Sequence, residues 1–213
     1  MLKEVAVENY TLIPRAVAVG AQRIELNDNL AVGGTTVSHG VMAEAARYLN
    51  EKQIPLVAMI RPRGGNFVYN DTELKMMESD LFVAQQLGVD AVTFGALTVN
   101  HELDTEAMEM LIGAAGGLDI VMHMAFDEIP VNQQAATIDW LVAHHVQRIL
   151  THGGPLTVPI EQHLAQLAQT VALAADRIEI LPGGGITADN AEQIGSFLGV
   201  NQLHGTKILG ALE

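Results

Sequence analysis

The sequence predicts an α/β fold, a single (β/α)8 TIM barrel over residues 1–213 with a short or missing final helix. Three observations carry this. Short β-branched apolar runs recur eight times along the chain. Helix-length segments lie between most of them, the alternation that builds parallel βα units in one sheet. The chain then stops soon after the eighth run, leaving KILGALE, which can form at most about two helical turns.

The elements follow in order. Strand one is 2–7 (LKEVAV), and the compressed unit after it holds a helix over 11–19 in which Pro14 fits only the first turn. Strand two is 23–26 (RIEL). Ser38 is the candidate N-cap of a helix over 39–50. Strand three, 56–60 (LVAMI), precedes a helix over 72–87 with Leu74, Met77, Leu81, Ala84 and Leu87 near helical spacing. Strand four, 90–94 (DAVTF), leads to a helix over 105–115. Strand five, 119–123 (DIVMH), leads to one over 132–145. Strand six, 147–151 (QRILT), leads to one over 160–175. Strand seven, 177–181 (RIEIL), leads to one over 188–198, with Thr187 as its candidate N-cap. Strand eight is 201–204 (NQLH). No linker or shift in composition separates a second domain. A missing eighth helix would leave an apolar flank uncovered, so a homo-oligomer is expected.

Composition narrows the function. Of 213 residues, 49% are hydrophobic and 17% charged, enough apolar material for a sizeable core. Eleven Lys and Arg stand against 25 Asp and Glu, a formal net charge of −14. Such a surface repels phosphodiester backbones and anionic lipid, so neither nucleic acid nor membrane is the expected partner. With no cysteine there is no disulfide, thiolate ligand or cysteine nucleophile. MLKEVAVENY has no signal-peptide core, so a cytoplasmic protein is expected.

In a barrel of this kind, chemistry sits where the strands end. Those ends carry Glu25 on strand two, Arg61 and Arg63 after strand three, His123 and Asp127 at strand five, and His204 on strand eight. Glu25 lies inside a short strand, where an unpaired carboxylate is costly to bury. Arg61 on the neighbouring strand is its expected partner, pointing inward. Read as a site, Arg61 and Arg63 would clamp a small anion with their guanidinium forks. Glu25, Arg61, His123, Asp127 and His204 would form the catalytic set, with the imidazoles suited to proton transfer near neutral pH. The loop LPGGGITADN offers Gly183, Gly184 and Gly185, and HGTK offers Gly205 and Thr206. Both follow the strands that often cradle phosphate in barrels. MHMAF raises a Cu(I) site, since thioether and imidazole suit that ion. Strand alternation argues against it, because with His123 inside the barrel Met122 and Met124 face the helices. His144 and His145 fall at a predicted helix end, suited to solvent or a C-terminal cap.

The motifs RIEL, GGTT, MIRPRGGNFVY, HMAFD, RILTHGG, PGGGI and LHGTK, in this order across almost the whole chain, resemble those of the CutC family, the copper homeostasis proteins. The most specific is Arg61-Pro62-Arg63-Gly64-Gly65, followed by Phe67 and Tyr69. The resemblance implies a TIM barrel, a cytoplasmic oligomer and a role in copper tolerance or trafficking, with copper as bound partner. It brings no settled enzymatic activity. Met124 stands where the family has arginine, His152 where it has serine, and Gln202 where it has an acid. The cysteines proposed as copper ligands in some relatives are absent, so the metal ligands are not identified by resemblance, and copper is implied by the family alone. Two other readings stand beside this one: an enzyme or binding protein for a small anionic metabolite, phosphorylated or not, and a noncatalytic oligomeric scaffold.

Overall fold

The computed structural model describes residues 1–212. Its strands are β1 (Leu2–Glu8), β2 (Arg23–Asn27), β3 (Leu56–Met59), β4 (Ala91–Phe94), β5 (Asp119–Met122), β6 (Arg148–Thr151), β7 (Glu179–Pro182) and β8 (Gln202–Gly205). Its helices are α1 (Ile13–Ala18), α2 (His39–Lys52), α3 (Asp71–Leu87), α4 (Thr105–Ala115), α5 (Val131–Ala143), α6 (Leu164–Ala174) and α7 (Ala191–Leu198). The strands form one parallel sheet in the order β7-β6-β5-β4-β3-β2-β1-β8. This is the expected TIM barrel. β8 returns to pair with β1, placing Glu4 opposite His204 and Val5 opposite Gly205. β7 and β8 touch, yet no hydrogen-bonded ladder joins them among the described residues. Pro182 ends β7 without an N–H to donate, which suits an edge strand.

No eighth helix forms among the described residues; the segment after β8 makes isolated bridges, Thr187 with Lys207 and Ile208 with Gly210. Local chemistry sets the helix starts. Ser38 accepts from the N–H of Val41, and Pro14 sits in the first turn of α1. Asn70 and Glu73 close a reciprocal capping box at the start of α3. The expectation of Thr187 as N-cap of α7 is corrected. The helix begins later, at Ala191, and the Asn190 side chain instead accepts from the N–H of Thr187. The segment 160–175 is also two pieces, a 3-10 turn over Ile160–Gln162 and then α6. His144 ends α5, its Nδ1 2.8 Å from the Trp140 carbonyl.

Two apolar layers result from the alternation of side chains along each strand. The larger lies between sheet and helices and includes Ile24, Leu26, Val92, Phe94, Ile120, Met122, Ile149 and Leu203. The smaller lies inside the barrel: Val57, Ala91, Val121, Leu150 and Leu181, from β3 to β7. From β1, β2 and β8 the interior receives charge instead, in Glu4, Arg23, Glu25 and His204, all buried. No helix among the described residues is long and apolar enough to cross a membrane.

Candidate functional site

A chamber of about 200 Å³ opens at the C-terminal ends of the strands. Glu25, Asn27, His123 and His204 supply its polar wall, and Met59, Phe67, Met124 and Leu156 are among its apolar residues. Phe67, Met124 and Leu156 also border a wider outer bowl that holds Asp127 and Glu128.

The polar wall is one connected chain of buried groups. Arg23 donates to Glu4. The other oxygen of Glu4 lies 2.7 Å from Nδ1 of His204. Nε2 of His204 faces Oε2 of Glu25 at 3.7 Å, and Nδ2 of Asn27 donates to that same oxygen at 2.9 Å. β1, β2 and β8 are adjacent, so their inward residues stack into this row. Its two carboxyls behave oppositely. Burial alone would raise Glu4, but the hydrogen bond and charge of His204, with Arg23, overcome it and hold the group at about 2. Burial raises Glu25, with the Glu4 charge adding to it, and His204 and Asn27 only partly offset this. Burial would lower His204, but Glu25 and Glu4 overcome that and raise it. The row therefore sets an imidazole whose proton is favoured between one carboxyl held low and one pushed up.

Across the chamber, His123 is a neutral imidazole. Burial and the neighbouring Arg61 charge bring it down to about 3. Nδ1 accepts from the N–H of Ala125 at 3.3 Å, which leaves the hydrogen on Nε2. That Nε2 has no hydrogen-bond partner among the described residues. β5 ends at Met122, so the predicted alternation ends one residue too early for Met124. Met122 packs outward as expected. Met124, expected to face the helices, instead opens a 3-10 turn and lines the chamber.

The expected Glu25–Arg61 pair does not form. NH1 of Arg61 donates to the carbonyls of Val32 and Gly34, and NH2 to that of Gly65 at 2.6 Å. The guanidinium lies 4.7 Å from the centroid of Phe67, whose ring is 4.8 Å from that of His123. Arg61 thus ties two loops together instead of pointing at an anion. Carbonyl oxygens are uncharged partners, so the guanidinium keeps its charge and that charge is felt by His123. Arg63 is likewise occupied, with Glu73 and the carbonyls of Gly64, Asn66 and Val68. Asp127 accepts from the Thr151 hydroxyl at 2.5 Å and from the N–H groups of His152 and Gly153. It therefore anchors the loop after β6, away from the Glu25–His204 row, though it borders the outer bowl. Among the predicted anion-binding residues Gly184, Gly185, Gly205 and Thr206 line the chamber. Gly183 instead bonds Thr151 and accepts from His152. At Gly205 a Cβ would sit 2.4 Å from the Ile186 carbonyl oxygen, so the close approach of the two loops requires glycine there.

Glu4, Arg23, Asn27 and Met59 were missing from the predicted site. The signal for the first two was present: a charge inside a short strand, the argument that singled out Glu25, applies equally to Glu4 in LKEVAV and Arg23 in RIEL. Met59 carries no such mark, and only the closed barrel brings it to the chamber.

Comparison with known proteins places the sequence in one family. The model of the CutC family covers residues 1–209. The chain belongs to the CutC family. A CutC family protein of Enterococcus faecalis is 51% identical over 98% of this chain and 100% of its own length. One from Streptococcus pyogenes is 49% identical over the same shares. A solved structure of a candidate copper homeostasis protein CutC from Streptococcus agalactiae superposes with a TM-score of 0.95 at 50% identity, covering 98% of this chain and 99% of that one. The deoxyribose phosphate aldolase of Aeropyrum pernix, at 10% identity and a TM-score of 0.71 over 99% of this chain and 87% of its own, shares the fold alone.

Proposed function

We propose that this CutC family chain serves copper homeostasis in the cytoplasm and holds copper at the barrel mouth between Glu25 and His204, with Glu4 behind the imidazole. One observation carries the reading. His204 turns Nδ1 to the buried Glu4 carboxylate and presents Nε2 toward Glu25. Histidines that ligate metals are held this way, with the second nitrogen donating to a carboxylate that fixes the ring. Glu4, Glu25 and His204 each offer a ligand atom within 4.8 Å of the others. Oxygen and imidazole nitrogen suit Cu(II) better than Cu(I), which favours thiolate and thioether. A cation between Nε2 and Glu25 would also meet the carboxyl that folding leaves least willing to ionise. Metal binding would compete with the proton that Glu25 and Glu4 favour on His204.

The anion-clamp reading loses its main support, because carbonyls and Glu73 already hold Arg61 and Arg63. Self-association of copies, part of the same proposal, is motivated by the lack of an eighth helix among the described residues and by exposed Phe197 on α7; light scattering tests it. The test of the copper site is a titration with Cu(II) against a competing chelator, with electron paramagnetic resonance to report nitrogen and oxygen ligation. One ion per chain is expected, released by Glu25→Gln or His204→Gln. Binding that survives both substitutions would overturn the assignment.

A further inference from the structure

The loop after β6 is held in place by two imidazoles. Over residues 154–158 its backbone makes just two hydrogen bonds to groups elsewhere among the described residues. Nε2 of His152 lies 2.9 Å from the Val158 carbonyl, and Nε2 of His163 lies 3.4 Å from the Pro155 carbonyl. A further bond, from the N–H of Val158 to the Pro155 carbonyl, is internal to the loop. The chain enters at Gly153, whose φ of 80° lies in the left-handed region. At the tip, Leu156 is 61% exposed and borders both the chamber and the outer bowl. A Cβ on Gly184 would sit 2.6 Å from Cδ2 of Leu156, so the leucine lies across the bare glycine. The loop is a strap along the shared rim, and a segment so sparsely bonded opens at low cost.

His152 is buried, and both of its ring nitrogens face carbonyl oxygens, Nδ1 that of Gly183 at 3.0 Å and Nε2 that of Val158 at 2.9 Å. A carbonyl accepts and cannot donate. A neutral imidazole has hydrogen on one nitrogen and a lone pair on the other, so it satisfies one of the two. Only the imidazolium donates to both. In the neutral ring a lone pair would face a carbonyl, and that contact is lost. The two contacts are not equally firm. Gly183 is fixed, because its own N–H donates to the Thr151 carbonyl at 2.9 Å. Val158 belongs to the strap, so its contact is the one to give. The charges around the ring come from four sides. Asp127, on the 3-10 turn after β5, accepts from the N–H of His152 at 2.8 Å and from that of Gly153. Burial raises Asp127, and these bonds and the His152 charge work against it. His163 stands 5.0 Å away, ring centroid to ring centroid and edge to face. Glu161 is engaged by Asn190. His204 of β8 approaches Gly183, where a Cβ would sit 3.0 Å from its Cδ2. A charge on either of those histidines opposes a cation at His152, and the Asp127 carboxylate favours it.

We propose that residues 154–158 are a strap over the chamber mouth, fastened at Val158 by the doubly protonated ring of His152 and released when that ring loses its second proton. Acid fastens the strap and base loosens it. Loosening frees Leu156 from Gly184 and widens the passage between chamber and bowl. His152 is a positioning residue, acting on the chamber through the loop it holds. The inference concerns access alone and does not depend on what the chamber binds, copper included.

The experiment uses full-length, copper-free protein labelled with ¹⁵N throughout and ¹³C in the methionine methyls. NMR spectra are taken at about pH 5.5 and about pH 9, either side of the range in which imidazoles change charge. At the acid end both ring nitrogens of His152 should carry hydrogen, and Leu156 and Thr157 should have backbone order parameters of about 0.8, as in rigid backbone. At the alkaline end one ring hydrogen should be lost. The order parameters should then fall below about 0.6, or relaxation dispersion should appear at these two residues. The neutral nitroxide 4-hydroxy-TEMPO should broaden the Met124 methyl signal more at the alkaline end. His152→Ser, which lacks both nitrogens, should have a mobile loop at both pH values and a flat profile. His163→Gln should keep the wild-type profile. A His152 nitrogen without hydrogen at the acid end, equal loop mobility or equal Met124 broadening at the two pH values, a profile that survives in His152→Ser, or one that vanishes in His163→Gln would each overturn the proposal. Should His152→Ser fail to fold, the ring signals and the loop profile of the wild-type chain decide.

Discussion

The two halves of the barrel interior are built by different physics. From β3 to β7 the inward residues at mid-depth are Val57, Ala91, Val121, Leu150 and Leu181, which need only fill space. From β8, β1 and β2 come His204, Glu4, Arg23 and Glu25, which are buried and pair with one another. The apolar half resembles any barrel core. The charged half gives up favourable burial for a row of ionisable groups, two of which, Glu25 and His204, reach the chamber.

The largest effect should come from breaking the charged half at its centre. Glu4→Gln removes the partner of both Arg23 and His204, and leaving buried charges unpaired should lower unfolding free energy by about 4 kcal/mol in denaturant titrations. Should the loss be within about 0.5 kcal/mol, the row is not an electrostatic unit. Leu150→Ala tests the other half by volume alone, with about 3 kcal/mol expected from lost transfer and a residual cavity. The two halves also differ in how stability follows acid. His123 titrates near 3 in the folded chain and near 6.5 unfolded. The folded state thus binds fewer protons in that window, and stability present above pH 6.5 is lost as pH falls toward 3. Between about pH 7 and pH 5 the loss should be about 2 kcal/mol, and it should vanish in His123→Gln. Glu4, depressed from 4.5 to about 2, adds a second loss below pH 4.5. The smallest expected change separates the two carboxyls of the row. Glu25 is raised on folding, so its ionisation opposes the folded state as pH rises. Glu25→Gln should therefore be neutral or stabilising by up to about 1 kcal/mol at pH 7, while abolishing copper binding. A strong destabilisation would show Glu25 to be structural.

Much of this was open to reading from the sequence. All eight strands fall within about two residues of their predicted positions, because period and punctuation by glycine and proline are local signals. Glu25, His123 and His204 were found by asking which polar residues stand inside strands or at their ends. Arg61 shows where that reasoning stops. A strand-terminal arginine looks the same whether it meets a ligand or the backbone of the next loop, and its partners at Val32 and Gly34 lie far away in sequence. Met124 fails for another reason. Alternation predicts direction only while the strand continues, and β5 gives way to a 3-10 turn at that point. The Glu4 row needed the pairing of the first strand with the last, a contact across nearly the whole chain.

The unladdered contact between β7 and β8 has its own consequence. An eight-stranded ribbon curled until its edges meet has a seam, and among the described residues strand ladders join every neighbouring pair except that one. Gly183 and Gly184 lie on one lip of the seam, His204 and Gly205 on the other. Just beyond the strands the two lips are joined by the bridge between Thr187 and Lys207, where the N–H of Ala188 donates to the Lys207 carbonyl. His204 therefore stands on the one line of the wall where, among the described residues, packing takes the place of a strand ladder.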